Sequence, residues 1–135
     1  MSNKTDYLEA AQLNWMRGTT YPAAPSSVYL ALFTGSASED GVTTIPEIPT
    51  SLGYQRQLVT FSAVTQSAGV GVISSSNGQS FGPASSSWGS VSHIGLFDAS
   101  SGGNMLYFNS SSVAQNVSAG DRAIFNTGSI IVRER

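Results

Sequence analysis

The stretch that most constrains the fold is residues 88–108, WGSVSHIGLFDASSGGNMLYF. Two segments rich in β-branched and aromatic residues, 91–97 and 105–108, flank the polar sequence DASSGG. Asp hydrogen-bonds its own backbone and Gly adopts positive φ freely, so this spacing predicts a β-hairpin. We expect the rest of the chain to be organised around it.

Residues 2–17 are predicted to form a helix. Thr5 is placed to cap it, Asp6 and Glu9 lie in the positive first turn, and Gly18 follows as a stop. An apolar stripe at helical spacing either covers the sheet or anchors a neighbouring subunit, and the pattern leaves both open. The stripe consists of Leu8, Ala11, Trp15 and Met16.

Short strands are predicted along the remaining chain, separated by turn residues. Residues 28–34, VYLALFT, are apolar on both faces, as expected inside a sheet. The dipeptide Asn77-Gly78 predicts a hairpin turn. The long loop 35–53, with spaced prolines, is expected to reach a partner. The other predicted strands are residues 54–61, 66–75, 79–81, 113–117, 123–125 and 129–132.

One helix followed by about eight short strands predicts a mainly β chain. We expect a single-domain antiparallel β-sandwich, jelly-roll-like, with one N-terminal α-helix. The domain would cover residues 1–135, with the helix at 1–18, a linker at 19–27 and the sandwich at 28–135.

Charge is scarce in this chain. Charged residues make up 10%, against about 25% in ordinary globular domains. Such a surface suits a protein that packs against copies of itself or a larger assembly. The six basic residues are scattered and the net charge is −2, which argues against binding to the phosphate backbone of nucleic acid. Acidic residues near the N-terminus argue against a signal peptide, and no apolar run predicts a membrane span. We expect synthesis in the cytoplasm.

No motif for catalysis or metal binding is found. The chain has no cysteine and one histidine, His93, so multi-His and thiolate sites are excluded. Ser87, Ser92 and Asp98 supply triad residue types near His93, but proximity on one hairpin does not predict triad geometry. A loose calcium-loop pattern beginning at Asp98 lacks a second carboxylate and the late Glu, so it reads as a turn. We expect no enzyme activity, no cofactor and no metal.

A carbohydrate-binding function is a further alternative. Aromatic side chains on a β-sandwich can stack on sugar rings, although strand aromatics are more often part of the core. The candidate platform consists of Trp88, Tyr54, Tyr107 and Phe108.

Five motifs in order cover nearly the whole chain. They are LNWMRGTTY (13–21), VYLALFT (28–34), GYQRQLVTF (53–61), the hairpin 88–108 and SAGDRAIFNTGSIIV (118–132). With these motifs the chain resembles a family of small phage virion structural proteins, tail-fibre-like or capsid decoration (cement) proteins. The resemblance implies location in the virion and no catalytic residues.

Chain size, charge and the lack of repeats are the features of the sequence that bear on the position in the virion. A capsid decoration protein, a trimer that binds the major capsid protein and staples neighbouring capsomers, fits the small chain of low charge without shaft repeats. A tail fibre or baseplate component is the alternative. Partner-binding residues are expected at the helix end, the long loop and the C-terminus, since such segments lie at the surface. They are Trp15, Met16, Arg17, Glu39, Asp40, Ile45, Ile48, Arg133 and Arg135.

Overall fold

A computed structural model describes residues 3–134 and is mainly β, with 39% strand and 11% helix. Within these residues the helices are α1 (Asp6–Met16) and a short 3-10 helix (Thr50–Leu52). The strands are β1 (Asn3–Lys4), β2 (Val28–Phe33), β3 (Gln57–Val59), β4 (Thr65–Ser67), β5 (Val70–Ser74), β6 (Gln79–Phe81), β7 (Gly89–Phe97), β8 (Met105–Val117), β9 (Ala123–Phe125) and β10 (Ile131–Glu134).

The predicted hairpin forms the centre of a five-stranded antiparallel sheet with strand order β1-β8-β7-β2-β3. β7 and β8 pair from Gly89 opposite Val117 to Phe97 opposite Met105. β2 lies on the other side of β7, with Leu32 opposite Ile94. The hairpin prediction is confirmed.

Two smaller sheets, β10-β5-β4 and β6-β9, form the second layer. The core between the layers joins side chains of the wide sheet to those of β6 and β10. Tyr54 stacks on Phe81 at a centroid distance of 6.0 Å and meets Trp88 edge-on at 5.8 Å. The β-sandwich with one N-terminal helix is confirmed.

The opposite face of the wide sheet is also covered, so β2 is buried on both sides. Phe33 and Phe97 meet edge-on at 6.3 Å, and Ala37 from the following loop packs on them. Gly95 provides the space for the Phe33 ring, because a Cβ at this position would lie 2.7 Å from two ring carbons. The prediction that residues 28–34 lie inside a sheet is confirmed.

The long loop differs from its prediction because it folds back along β2. Thr34 N–H donates to Pro46 O (3.0 Å), and Ile48 N–H donates to Leu32 O (3.3 Å). β3 pairs with β2 only as far as Leu30, so the second half of β2 has no neighbour from β3. The loop takes that place and satisfies backbone groups that burial would otherwise leave unpaired.

The helix begins at Asp6, and the segment before it is β1 rather than helix. Thr5 is the N-cap residue but makes no side-chain cap. Its hydroxyl is buried and donates to Met105 O (2.6 Å), while Asp6 N–H donates to Glu39 O (3.0 Å). Thr5 therefore attaches the helix to β8 instead of capping it.

One turn was not predicted, and one predicted turn is wrong. The segment predicted as a single strand, residues 66–75, contains most of the hairpin β4–β5, whose turn at Ala68 and Gly69 has φ of 52° and 79°. Non-glycine residues rarely adopt positive φ, so the turn was missed. Asn77-Gly78 does not close a hairpin, because β5 pairs with β4 and β10, and β6 pairs with β9. The Asn77 side chain instead accepts from Thr60 N–H.

Two strand boundaries also differ. β8 continues through 110–117, where a break and a separate strand were expected. The predicted strand 54–61 is reduced to β3, and Tyr54 turns out of the strand into the core.

Candidate functional site

Triad residue types are not assembled into a catalytic relay in the part of the chain that the structure describes. His93 is half-buried on β7, and its Nδ1 lies 2.8 Å from the hydroxyl of the adjacent Ser92. Asp98 accepts hydrogen bonds from the backbone N–H and the side chain of Asn104, at 2.7 and 3.1 Å. The Asp98 carboxylate therefore serves the hairpin turn, and the geometry contains no Asp–His pair to activate a serine.

The expected sugar-binding platform is not formed. Tyr54 and Trp88 are 1% and 4% exposed, so neither ring can stack on a ligand. The Trp88 indole N–H donates to Leu52 O (2.8 Å), which satisfies its polar atom inside the protein. Tyr107 is half-buried and donates its hydroxyl to Glu134. Tyr54 and Trp88 therefore belong to the core, and the residues named for the carbohydrate-binding alternative do not form a binding surface.

A partly buried ion pair, which the sequence did not reveal, joins three segments. The Arg56 side chain is 7% exposed and makes two bonds to the Glu47 carboxylate, Nε at 2.8 Å and Nη2 at 2.9 Å. Its Nη1 donates to Ala99 O and Gly102 O at 2.9 and 2.8 Å. The guanidinium also lies 3.7 Å from the centroid of the Phe97 ring. Arg56 therefore fastens the long loop to the tip of the central hairpin.

Tyr54 extends this network into the sandwich. Its hydroxyl accepts from Leu32 N–H (3.1 Å) and donates to Glu47 (2.6 Å). Burial, followed by the nearby Glu47 charge, raises the pKa of Tyr54 well above its usual value. The phenol stays protonated and supplies the hydrogen-bond partner that Leu32 lacks.

The long loop brings acidic groups to the start of α1. Carboxylate oxygens of Asp6, Glu9 and Glu39 lie within 4.8 Å of one another, and all three residues are exposed. Three oxygen donors suit a hard divalent cation. Exposed carboxylates often cluster without one, and this group has no buried ligand to fix its geometry, so we assign it no metal role.

Asp40, next to Glu39, organises the loop tip. Its carboxylate accepts from the Ser38 hydroxyl (2.6 Å) and from the N–H groups of Val42 and Thr43 (2.8 and 2.9 Å). The hydrogen bond from Ser38, followed by those from Thr43 and Val42, holds the pKa of Asp40 well below its usual value. The Asp40 carboxylate therefore stabilises the conformation of its own loop.

The last turn of α1 exposes large apolar side chains. Leu13, Trp15 and Met16 are 63%, 62% and 76% exposed, whereas in this helix only Ala11 is buried. A groove of about 340 Å³ runs beside the helix, and residues 21–25 of the linker form one of its walls. Apolar side chains concentrated on one turn are typical of an interaction site rather than of scattered surface residues.

The other predicted partner-binding residues are dispersed. Arg17 follows Met16 and bonds to Asn14 (3.0 Å) at the surface. Ile45 is half-buried, and Ile48, at 3% exposure, belongs to the core and is not available to a partner. Arg133 is exposed on β10, and Arg135 lies outside the described residues. Trp15, Met16 and Arg17 therefore lie together at the end of α1, whereas Glu39 lies at the opposite end of the helix, where its carbonyl accepts from Asp6 N–H.

No helix among the described residues is long and apolar enough to cross a membrane. Residues 3–133 match the family model of the podophage GP4 fiber I protein gp80. The chain belongs to this family. As a member of the gp80 fiber family it is a phage virion structural protein, located in the virion and associated with other virion proteins. A comparison with curated proteins found no match.

Proposed function

We propose that the chain is a structural subunit of a phage fibre, held to a neighbouring virion protein through the last turn of α1. The observation that carries this proposal is the exposure of Leu13, Trp15 and Met16 on one helical turn. The description of the gp80 family as a fiber protein supports the location.

Burial of the exposed helix end supplies free energy for association. Covering side chains that are about two-thirds exposed yields about 1–2 kcal/mol each, before the entropic cost of association. This free energy exists only in the assembled particle, where it also stabilises the folded subunit. The low charge of the chain supports the same view, since few charges need to be desolvated when subunits pack.

A capsid decoration protein is the second candidate. The compact sandwich and the absence of shaft repeats in the sequence favour a role on the capsid surface. In this case the helix end would bind the major capsid protein, and a trimer would staple adjacent capsomers.

Copy number separates the two candidates. Quantitative mass spectrometry of purified virions compares the chain with the major capsid protein. A copy number far below that of the capsid subunits is expected for a fibre. A copy number comparable with that of the capsid subunits would support decoration and overturn the fibre proposal.

A variant tests the helix end itself. The triple change Leu13→Ser, Trp15→Ser, Met16→Ser should leave the fold unchanged, because all three side chains are exposed. We expect it to be lost from virions when it replaces the wild-type chain. Ile124→Ser, at an equally exposed apolar position on β9, is the matched control and should be incorporated. Incorporation of the triple variant at the wild-type level would refute the proposed contact.

A further inference from the structure

β4 is the outer strand of the three-stranded sheet β10-β5-β4, and no described element lies beyond it. It pairs with β5 through Ser67 opposite Val70 and Thr65 opposite Val72, around the two-residue turn. In such a hairpin the residues flanking the turn exchange both hydrogen bonds, and the next pair exchanges none. The backbone N–H and C=O of Gln66 therefore point away from β5.

β4 carries neither the charged side chains nor the proline that commonly block outer strands. Between Arg56 and Asp98 the chain has no Asp, Glu, Lys or Arg. Of the other outer strands, β1 carries Lys4 and β10 carries Glu134, whereas β3, β6 and β9 are uncharged like β4. Edge strands are normally blocked by charged side chains, proline or a covering element. β4 consists of Thr, Gln and Ser, all exposed, and the preceding Val64 is 69% exposed.

We propose that β4 pairs antiparallel with β4 of a second copy of this chain. Centred on Gln66, whose backbone N–H and C=O point away from β5, the pairing places Gln66 opposite Gln66 of the second copy. This pair exchanges two backbone hydrogen bonds, and the two three-stranded sheets become one six-stranded sheet.

The uncharged sequence favours a second copy as the occupant. Identical strands related by a two-fold axis bring identical residues together, so any charge would face a like charge. β4 has none, and therefore pairs with itself without repulsion. The contact uses no residue of the helix end, so its failure in an experiment is distinguishable from failure of the proposed function.

The variant Gln66→Pro tests the pairing. Proline removes the outward N–H and leaves the β4–β5 ladder intact, because Gln66 makes no ladder bond to β5. Gln66→Thr retains the N–H and is the matched control. Analytical ultracentrifugation over a range of concentrations measures self-association, and circular dichroism verifies the fold.

We expect the wild-type chain and Gln66→Thr to dimerise. In Gln66→Pro the association constant should fall by at least about tenfold, since two inter-chain hydrogen bonds are lost. Amide hydrogen exchange of the wild-type chain requires no variant, and the Gln66 amide should become protected as concentration rises. A monomeric wild-type chain, a Gln66→Pro variant that associates normally, or an unprotected Gln66 amide would overturn the proposal. Protection that appears only with another virion protein would also overturn it, in favour of a heterotypic strand.

Discussion

Removal of the Arg56 side chain should destabilise the fold more than its position in a surface loop would indicate. Arg56→Ala deletes two bonds to Glu47, two bonds to the carbonyls of Ala99 and Gly102, and the contact with the Phe97 ring. The carboxylate of Glu47, with a side chain only 20% exposed, then has no cationic partner.

Loss of one partner of a fully buried ion pair costs about 3–5 kcal/mol, and for this partly buried pair we expect a cost of about 3 kcal/mol, at the lower end of that range. This is a large share of the roughly 5–15 kcal/mol that stabilises a typical domain. Arg56→Lys keeps the charge but cannot reproduce the forked geometry, so we expect it to recover only part of the loss. Arg17→Ala is the matched control, since Arg17 makes one exposed bond, and should change stability by less than about 0.5 kcal/mol.

Urea unfolding followed by the fluorescence of buried Trp88 measures these effects. With a slope of roughly 2 kcal/mol per molar urea, Arg56→Ala should lower the midpoint by about 1.5 M. Hydrogen exchange should show faster opening of residues 46–48 and 98–103. A midpoint as close to the wild-type value as that of Arg17→Ala would refute the assignment of Arg56 as the fastening residue.

Three further changes probe other parts of the fold. Gly95→Ala should cost about 1–3 kcal/mol in urea unfolding, because the new Cβ would lie 2.7 Å from the Phe33 ring; an unchanged midpoint would contradict this packing. Burial, followed by the hydrogen bond to Glu134, raises the pKa of Tyr107 well above 10. The stability from this group is therefore complete below pH 10 and lost as pH rises, and Tyr107→Phe should flatten the alkaline fall of the unfolding free energy. The lowered pKa of Asp40 has the opposite sign, with stability present above pH 3.8 and lost as pH falls. Asp40→Asn should therefore be less sensitive to acid than the wild-type chain, and equal acid titrations of stability would exclude this role.

Local patterns predicted the elements whose contacts are close in sequence. The central hairpin, the helix and the buried strand β2 each carry their signal within a few residues, as a turn, a cap region or a run of apolar side chains. The two-layer arrangement followed from the number and spacing of the strands.

The remaining features depend on contacts between distant residues. Glu47 and Arg56 meet because the long loop folds back on β2, and neither residue shows this in sequence. The acidic group at α1 forms because Asp6 hydrogen-bonds to the backbone of Glu39. Ile48 was expected at a partner surface. It lies in the core instead, because the long loop occupies the edge of β2 that β3 leaves free. Of the predicted stripe, Ala11 is buried and Trp15 and Met16 are exposed, and Leu13, which was not part of it, is exposed beside them.

Electron cryomicroscopy of the intact virion shows directly whether this helix end is covered in the particle. We predict density for the β-sandwich in a fibre, with Leu13, Trp15 and Met16 buried against a neighbouring virion protein. A map in which the fold fits the density but these three side chains face solvent would contradict the proposed contact.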